Sequence, residues 1–478
     1  MKSINSRSEK VHLFRAYDIR GTYPEDIDAQ FYLEIGISVA LFAKKKLKKT
    51  PHFYIGFDIR TTSSMFAYSL AVGMTSLGAL VSFSGEPFPF GVNLFSGLHH
   101  NADVTAFVTA SHLPPEWNGV KFYYSDGVGF SEEDNVDISS IYLNESYMEE
   151  KKKITWQEFS QINIIQHFNE YKSFLKEKFS LNKQLKVVVD CGNGSASLSA
   201  PEILRSCGYQ VIELWCDPDP EFPNRSPEPN ETSLTILSKT VIDTSADFGI
   251  GFDADGDRGV IVDNSGQILP PEHTGIMLTN YLIEKEKNNA KSKEKRIILA
   301  NVECSSIIEK VLGLNVDVRR VKVGHTYLTL EAKNLDALMG MESSGHFVFP
   351  EFFLFDDALL LPLITGKTIE FFDTRLSDLV RDLPNLHKAK LTIEVPDKMK
   401  FKLIESFTVI LKSKISNKID TIDGIGIRLE KGWILIRASN TSPLIRITTE
   451  AETTKEAKEL LERYSLLLKE ELSKTYPI

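Results

Sequence analysis

Two periods of apolar and polar positions alternate along the chain. The stretch "HFYIGFDIR" (52–60) is a short apolar run ending in charge, the pattern of a buried strand feeding a polar loop. "SSMFAYSLAVGMTSLG" (63–78) then places its apolar residues on a helical period, and "DVTAFVTASHLPPEWNG" (103–119) is a strand that breaks in a loop with proline and glycine. The pattern restarts at "LKVVVDCGNGSASLSAPEILRSCGYQVIELW" (185–215), which predicts strand, Gly-rich turn, helix and strand. The Pro-rich "CDPDPEFPNRSPEPN" (216–230) follows, then the strand-like "ADFGIGFDADGDRGVIVD" (246–263). A third segment opens with helical "HTGIMLTNYLIEKEK" (273–287), passes through the charge run 284–296, predicted as a solvated loop, and continues as strand and helix over 297–313. Near "DLPNLHKAK" (382–390) the order changes to several strands followed by one helix. Ala457, Leu460, Leu461, Tyr464, Leu467 and Leu468 form the broad apolar face of that helix. Strand–loop–helix alternation predicts α/β units, and the final segment predicts α+β.

At 478 residues the chain has room for about three or four domains. Its 55 basic and 65 acidic residues leave a net charge of −10, which gives no general electrostatic support to nucleic-acid binding. The first residues carry no apolar segment of the secretory kind, and no run is long enough for a membrane span, so a cytoplasmic location without nucleic-acid or membrane partners is expected. Cys191, Cys207, Cys216 and Cys304 lack metal spacing and read as reduced thiols.

Chemistry enters with "DADGDRG". Asp253, Asp255 and Asp257 occupy every second position, so in a regular strand their carboxylates would share one face. Three like charges that close repel. Either a hydrated acidic turn or a divalent cation with oxygen ligands resolves this, with Gly256 letting the backbone bend and Arg258 placed to hold a phosphoryl oxygen. Ser111 ends the strand "TAFVTA" beside His112, with Lys121 beyond the loop; it reads as a nucleophile or as a capping serine. "RASNTS", with Arg437, Ser439, Asn440 and Thr441 and with Arg446 beyond it, suits either a phosphate grip or a polar turn. "GMESSGHF" brings Glu342, Ser344 and His346 together, a mixture suited to sugar hydroxyls or to a plain loop, and "FRAYDIRG" sets Arg15 and Arg20 around Asp18.

In this order, these motifs resemble the alpha-D-phosphohexomutase superfamily, and within it the phosphomannomutase/phosphoglucomutase group. The resemblance implies four domains around a central cleft: three related α/β domains over 1–155, 156–265 and 266–385, then a smaller α+β domain over 386–478. It implies that Ser111 carries the transferable phosphoryl group and joins Asp253, Asp255 and Asp257 around Mg²⁺. It further implies that Glu342, Ser344 and His346 recognise the sugar, and that Arg437, Ser439, Asn440, Thr441 and Arg446 hold the substrate phosphate. Arg15, Arg20, His112, Lys121, Arg258 and His325 in "VGHTYL" complete the implied catalytic set. The implied reaction moves phosphate reversibly between O1 and O6 of a glucose or mannose phosphate through a hexose 1,6-bisphosphate, which also serves as activator. The alternatives are a phosphoglucosamine or phosphopentose mutase, or a weakly active sugar-phosphate-binding protein. A monomer or weak dimer acting on small hexose phosphates is expected. The chain departs from the family pattern at Leu113, Glu303, Thr329 and Arg225, which stand where asparagine, lysine, lysine and histidine are common. Glu303 is therefore expected to act as a base with a raised pKa, or to pair with Arg225 or another cation and leave proton transfer to His325.

Overall fold

The computed structural model describes residues 7–144, 162–288, 296–314, 316–415, 417, 419–429, 432–439 and 444–475. Four sheets succeed one another along the chain. The first has six strands, in the order Ile19–Thr22, Trp117–Tyr124, Val104–Val108, His52–Phe57, Leu80–Phe83 and Ile162–Ile164. Its centre is parallel: His52–Phe57 pairs with both Leu80–Phe83 and Val104–Val108. Helices Ala29–Leu47 and Ser63–Thr75 form part of its cover, which is why Val104–Val108 is buried throughout instead of on alternate residues. Asp28 starts the first of those helices by accepting the N–H of Phe31 at 2.7 Å.

The second sheet runs Gly259–Asp263, Phe248–Phe252, Lys186–Asp190, Gln210–Leu214, and the third Val316–Val321, Arg296–Asn301, Met339–Met341, Phe347–Val348. Both have parallel centres and an antiparallel edge. Helix Pro271–Asn288 extends through the first part of the charge run expected as a loop, because Tyr281 and Leu282 bury and carry the helix forward; residues 289–295 lie outside the described set. The last sheet is antiparallel, in the order His387–Glu394, Leu444–Ala451, Gly432–Ala438, Ile425–Leu429, Ile419–Asp420. Tyr464 and Leu468 of the terminal helix Thr454–Thr475 are buried in its core, with Leu460, Leu461 and Leu467 packed against it. Among the described residues, no helix is long and apolar enough to cross a membrane.

The parallel strands matter most for function. Asp58 and Thr109 directly follow adjacent strands of the first sheet, Cys191 and Asp253 adjacent strands of the second, and Val302 and Glu342 adjacent strands of the third. In open α/β sheets the carboxyl ends of parallel strands form the crevice where ligands bind, and these loops all lie at such ends.

Candidate active site

Ser111 is fully buried and takes a left-handed backbone at φ 53°, which costs a non-glycine residue roughly 1–3 kcal/mol. Arg60 offsets that cost. Its guanidinium donates to the carbonyls of Ser111 (2.6 Å), Leu113 (2.7 Å), Pro114 (2.7 Å) and Trp117 (3.2 Å), and its Nε donates to Asp58 at 3.1 Å. One buried arginine thus fixes the serine loop by its backbone. Ser111 Oγ lies 3.2 Å from His112 Nδ1, so these neighbouring side chains meet. The Arg258 guanidinium, then burial, push the His112 imidazole far below its usual range and keep it neutral.

Thr109 links this loop to the aspartates. Its hydroxyl accepts the N–H of Ser111 at 2.8 Å and faces Asp58 Oδ2 at 2.8 Å and Asp255 Oδ2 at 2.9 Å. A hydroxyl has one proton to give, so one of those two carboxylates must find charge compensation elsewhere. Asp58 already receives Arg60 and Ser63. Asp255 is the one left in need.

Asp253, Asp255 and Asp257 do not converge by strand alternation. They occupy the turn between the antiparallel strands Phe248–Phe252 and Gly259–Asp263, where Gly256 at φ 79° folds the backbone back and donates its N–H to Asp253 Oδ1 at 3.0 Å. All three are buried, and Asp253 Oδ2, Asp255 Oδ1 and Asp257 Oδ1 have no hydrogen-bond partner. Burial, then mutual repulsion, raises the carboxyls of Asp253 and Asp255. Burial also opposes ionisation of Asp257, but Lys121, 2.6 Å away, and His346 outweigh it and hold that carboxyl well below the usual range. Lys121 also lies 3.6 Å from Asp255. One oxygen from each of the three carboxylates lies within 4.8 Å of the others, and this set of hard oxygens, three of them without a hydrogen bond, fits a small divalent cation such as Mg²⁺. A bound cation would supply charge neutralisation for a phosphoryl group at this turn.

The sugar-loop candidates reach the same turn. Arg258 Nε is 3.2 Å from His346 Nε2, which in turn is 3.4 Å from both Asp257 and Asp356. On its other side His346 Nδ1 meets Glu342 at 3.0 Å and Ser344 at 2.9 Å. Burial and Arg258 oppose a charge on this ring, but the surrounding carboxylates outweigh them and raise His346 to about 9. Glu342 is held at about 2 against its burial by His346 and the N–H of Gly324 at 2.8 Å. His325 opens helix His325–Asn334 and is buried, with Nδ1 3.5 Å from the Tyr123 hydroxyl. Burial, then Lys121 and His346, push it well below its usual range, so it is a neutral ring. Thr329 is buried one turn further on, its hydroxyl bonded to the carbonyl of Thr326 at 3.1 Å.

From the N-terminal motif, Arg20 pairs with buried Asp18 at 2.6 Å, and Arg15 is partly buried beside it. From the last sheet comes Arg437, 3% exposed, whose Nε donates to Glu303 at 2.8 Å while its Nη1 lies 3.7 Å from Asp423. Arg446 faces Arg437 across the sheet and is exposed. Ser439 is buried; Asn440 and Thr441 lie outside the described residues.

Two expectations for Glu303 need correcting. Arg225 does not reach it: that guanidinium is taken by Asp190 at 2.8 Å and by the Phe252 carbonyl at 2.6 Å. Nor is its pKa raised. Burial acts in that direction, but Arg437, with Lys390 and Arg446, outweighs it and lowers the carboxyl. The cation that Glu303 pairs with is Arg437 itself.

Sequence reasoning passed over Asp58, Arg60, Thr109, Asp356 and Asp423. A signal existed for the first two: the tripeptide Asp-Ile-Arg occurs both at 18–20 and at 58–60, and in each copy the aspartate pairs with its own arginine. A groove of about 570 Å³ beside Ser344 is lined by Glu228, Ser343, Lys388, Lys390 and Glu450, whereas a larger cavity of about 670 Å³ near Ser245 and Asp373 contains none of the site residues.

Comparison with known proteins places this geometry. The models of the phosphoglucomutase/phosphomannomutase family match along the chain: alpha/beta/alpha domain I over residues 11–149, domain II over 166–266, domain III over 270–387 and the C-terminal domain over 391–466. A phosphoglucomutase/phosphomannomutase of Thermococcus kodakarensis is 30% identical over 96% of this chain and 99% of its own. A phosphoglucosamine mutase of Methanocaldococcus jannaschii is also 30% identical, with the same coverage of both chains. Among solved structures, a phosphoglucomutase/phosphomannomutase family protein of Burkholderia thailandensis superimposes with a TM-score of 0.83 at 25% identity, over 99% of each chain.

Proposed function

This chain belongs to the phosphoglucomutase/phosphomannomutase family within the phosphohexomutase superfamily, and from that premise we propose that it is a phosphoglucosamine mutase, moving a phosphoryl group between O6 and O1 of glucosamine phosphate with Ser111 as relay. An intramolecular phosphotransferase is what the family membership supports; the aminosugar is the finer part of the reading. The observation that carries the chemistry is the Thr109 link, which brings the backbone of a buried serine and an under-compensated aspartate cluster onto one hydroxyl. Phosphoryl transfer depends on positioning and charge neutralisation, and that arrangement offers both. In the proposed cycle Ser111 gives its phosphoryl group to the substrate, the bisphosphate reorients, and the serine recovers the other phosphate. Arg437 and Ser439 hold the non-reacting phosphate, with Asn440, Thr441 and Arg446, while Glu342, Ser344 and His346 face the sugar.

The preference for an aminosugar over glucose or mannose rests on two supports. Several relatives, including those of Methanocaldococcus jannaschii and Methanococcus aeolicus, are phosphoglucosamine mutases. In addition, Glu303 and Asp423 place two carboxylates beside the candidate phosphate grip, a setting that tolerates a zwitterionic sugar phosphate better than a purely anionic one. Coupled assays with glucosamine 6-phosphate, glucose 1-phosphate and mannose 1-phosphate, each with its 1,6-bisphosphate and Mg²⁺, test this. The highest kcat/KM is expected for the aminosugar; a higher value for glucose or mannose phosphate would reverse the assignment.

The Glu303–Arg437 pair makes a separate prediction. A phosphate dianion must compete with Glu303 for Arg437, so Glu303→Gln, which keeps the shape and removes the charge, is expected to lower KM. A general base contributes roughly 10²- to 10⁴-fold, so a kcat change of less than about tenfold is the outcome expected of a residue that does not transfer the proton. Steady-state kinetics of E303Q with the preferred substrate distinguish the two roles.

A further inference from the structure

Cys191 and Cys216, 25 residues apart in sequence, meet in the fold. They lie just beyond two neighbouring parallel strands, Lys186–Asp190 and Gln210–Leu214, whose ladder continues through the bond from Cys191 N–H to the Leu214 carbonyl at 3.2 Å. Their sulfurs are 3.1 Å apart, with both thiols free. Cys191 is fully buried, whereas Cys216 is partly exposed.

The loop 191–195 ties this pair to the aspartate turn. Ser195 N–H donates to the Ala254 carbonyl at 2.7 Å, and a side chain at Gly194 would strike that same carbonyl at 2.8 Å. On the other side, the Ser195 hydroxyl accepts the N–H of Ile59 at 3.3 Å, beside the Asp58–Arg60 pair that fixes the serine loop. Asn193 is tied to the Cys216 side through its N–H to the Trp215 carbonyl at 2.8 Å. Any change in the Cys191–Cys216 spacing is therefore applied to backbone that touches both halves of the candidate active site.

We propose that Cys191 and Cys216 form a reversible disulfide, driven by a hydroperoxide, that slows phosphoryl transfer by shifting the loop beneath the aspartate turn. A disulfide needs the sulfurs at about 2.05 Å, so they must approach by roughly 1 Å. The partly exposed Cys216 reacts first: its thiolate attacks a peroxide oxygen, the O–O bond breaks, and the leaving hydroxide takes up the proton that the thiol released, giving one water and a sulfenic acid on the sulfur. The Cys191 sulfur then attacks that sulfur, the S–O bond breaks, and the departing hydroxide takes the Cys191 proton as a second water. Two thiols have lost two electrons, and one hydrogen peroxide has become two waters. Burial, then the neighbouring Cys216 thiol, raises Cys191, so Cys191 is not the thiol that meets the peroxide first. Buried Cys207 and Cys304 serve as internal controls.

The test exposes the Mg²⁺-loaded full chain to hydrogen peroxide, blocks remaining thiols by alkylation, and reads intact mass, a non-reducing peptide map and mutase activity. Wild type is expected to lose two hydrogens, to yield a 191–216 cross-linked peptide, and to fall severalfold in kcat/KM with recovery in dithiothreitol. Cys216→Ser, outside the 191–195 loop, is expected to keep untreated activity and to show neither cross-link nor reversible loss. Sulfinic acid on Cys216 without a cross-link overturns the disulfide. A cross-link with unchanged kcat/KM overturns the modulation. The activity arm rests on the mutase reading but the mass arm does not, so inactive protein that still cross-links counts against that reading and not against the disulfide.

Discussion

Ser111→Ala is expected to lose at least about 10³-fold in turnover while keeping its fold. The two halves of that expectation have separate grounds. The loss arises because the hydroxyl, 3.2 Å from His112 Nδ1 on a loop whose N–H bonds to Thr109, is the proposed acceptor and donor of the phosphoryl group. The fold is retained because the loop is held by its carbonyls: Arg60 bonds to Ser111, Leu113, Pro114 and Trp117 through backbone oxygen, which alanine keeps. The φ of 53° is as awkward for alanine as for serine, so little change in strain is introduced. The measurements are the coupled assay, thermal unfolding, and intact mass after incubation with a hexose 1,6-bisphosphate. Wild type should gain one phosphoryl group and S111A none. A folded S111A protein that retained most of its activity would remove Ser111 as the relay.

The sequence carried the architecture because its signals are local. A strand with polar residues at its carboxyl end, followed by a helical period, is visible at 52–78 and again at 185–206, and the stripe from Ala457 to Leu468 marks a helix with one buried face. Residues whose chemistry is unusual for their neighbourhood were also visible: three aspartates with a glycine, and a serine ending a strand. Partners brought together across the chain were not. Arg60 acts on carbonyls more than 50 residues away, and carbonyls leave no mark in a sequence. Asp356 reaches His346, and Asp423 reaches Arg437, only after strands from separate segments have been assembled.

Glu303 shows the same boundary from the other side. Its position after the strand Arg296–Asn301 was legible, and so was its misfit in charge. Its partner lies 134 residues away in the last sheet, and that partner reverses the direction of its pKa relative to the one expected from phosphate alone. The aspartate turn makes the complementary point. The residue types and the glycine led to the right physical question, whereas period-two geometry supplied the wrong reason for convergence. A turn with a left-handed glycine gathers carboxylates as effectively as one face of a strand, and a single sequence does not separate the two.

Asp255→Asn is expected to cost most of the Mg²⁺ affinity and, in metal-free protein, to raise thermal stability. The structure leaves Asp255 under-compensated: it shares the single proton of Thr109 with Asp58, it lies 3.6 Å from Lys121 while Asp257 takes that lysine at 2.6 Å, and its Oδ1 has no hydrogen-bond partner. Burial, then repulsion from Asp257, raises its carboxyl. A raised carboxyl makes the folded protein bind more protons than the unfolded chain, so this residue lowers stability as pH climbs from the ordinary carboxylate range toward its folded pKa. Asparagine removes that penalty and can still accept from Thr109. It also removes a charge on which the cation would depend. Mg²⁺ at about 100 times its Kd stabilises a folded protein by about 2.7 kcal/mol, enough to be read as a shift in Tm. Wild type should therefore unfold at a higher temperature with Mg²⁺ than with chelator, most clearly at roughly neutral pH, above the ordinary carboxylate range. D255N should unfold above wild type in chelator and respond little to the metal. Calorimetric titration supplies the affinity without reference to activity. Equal Mg²⁺ affinity in both proteins, with the same rise in Tm, would place the cation away from this turn.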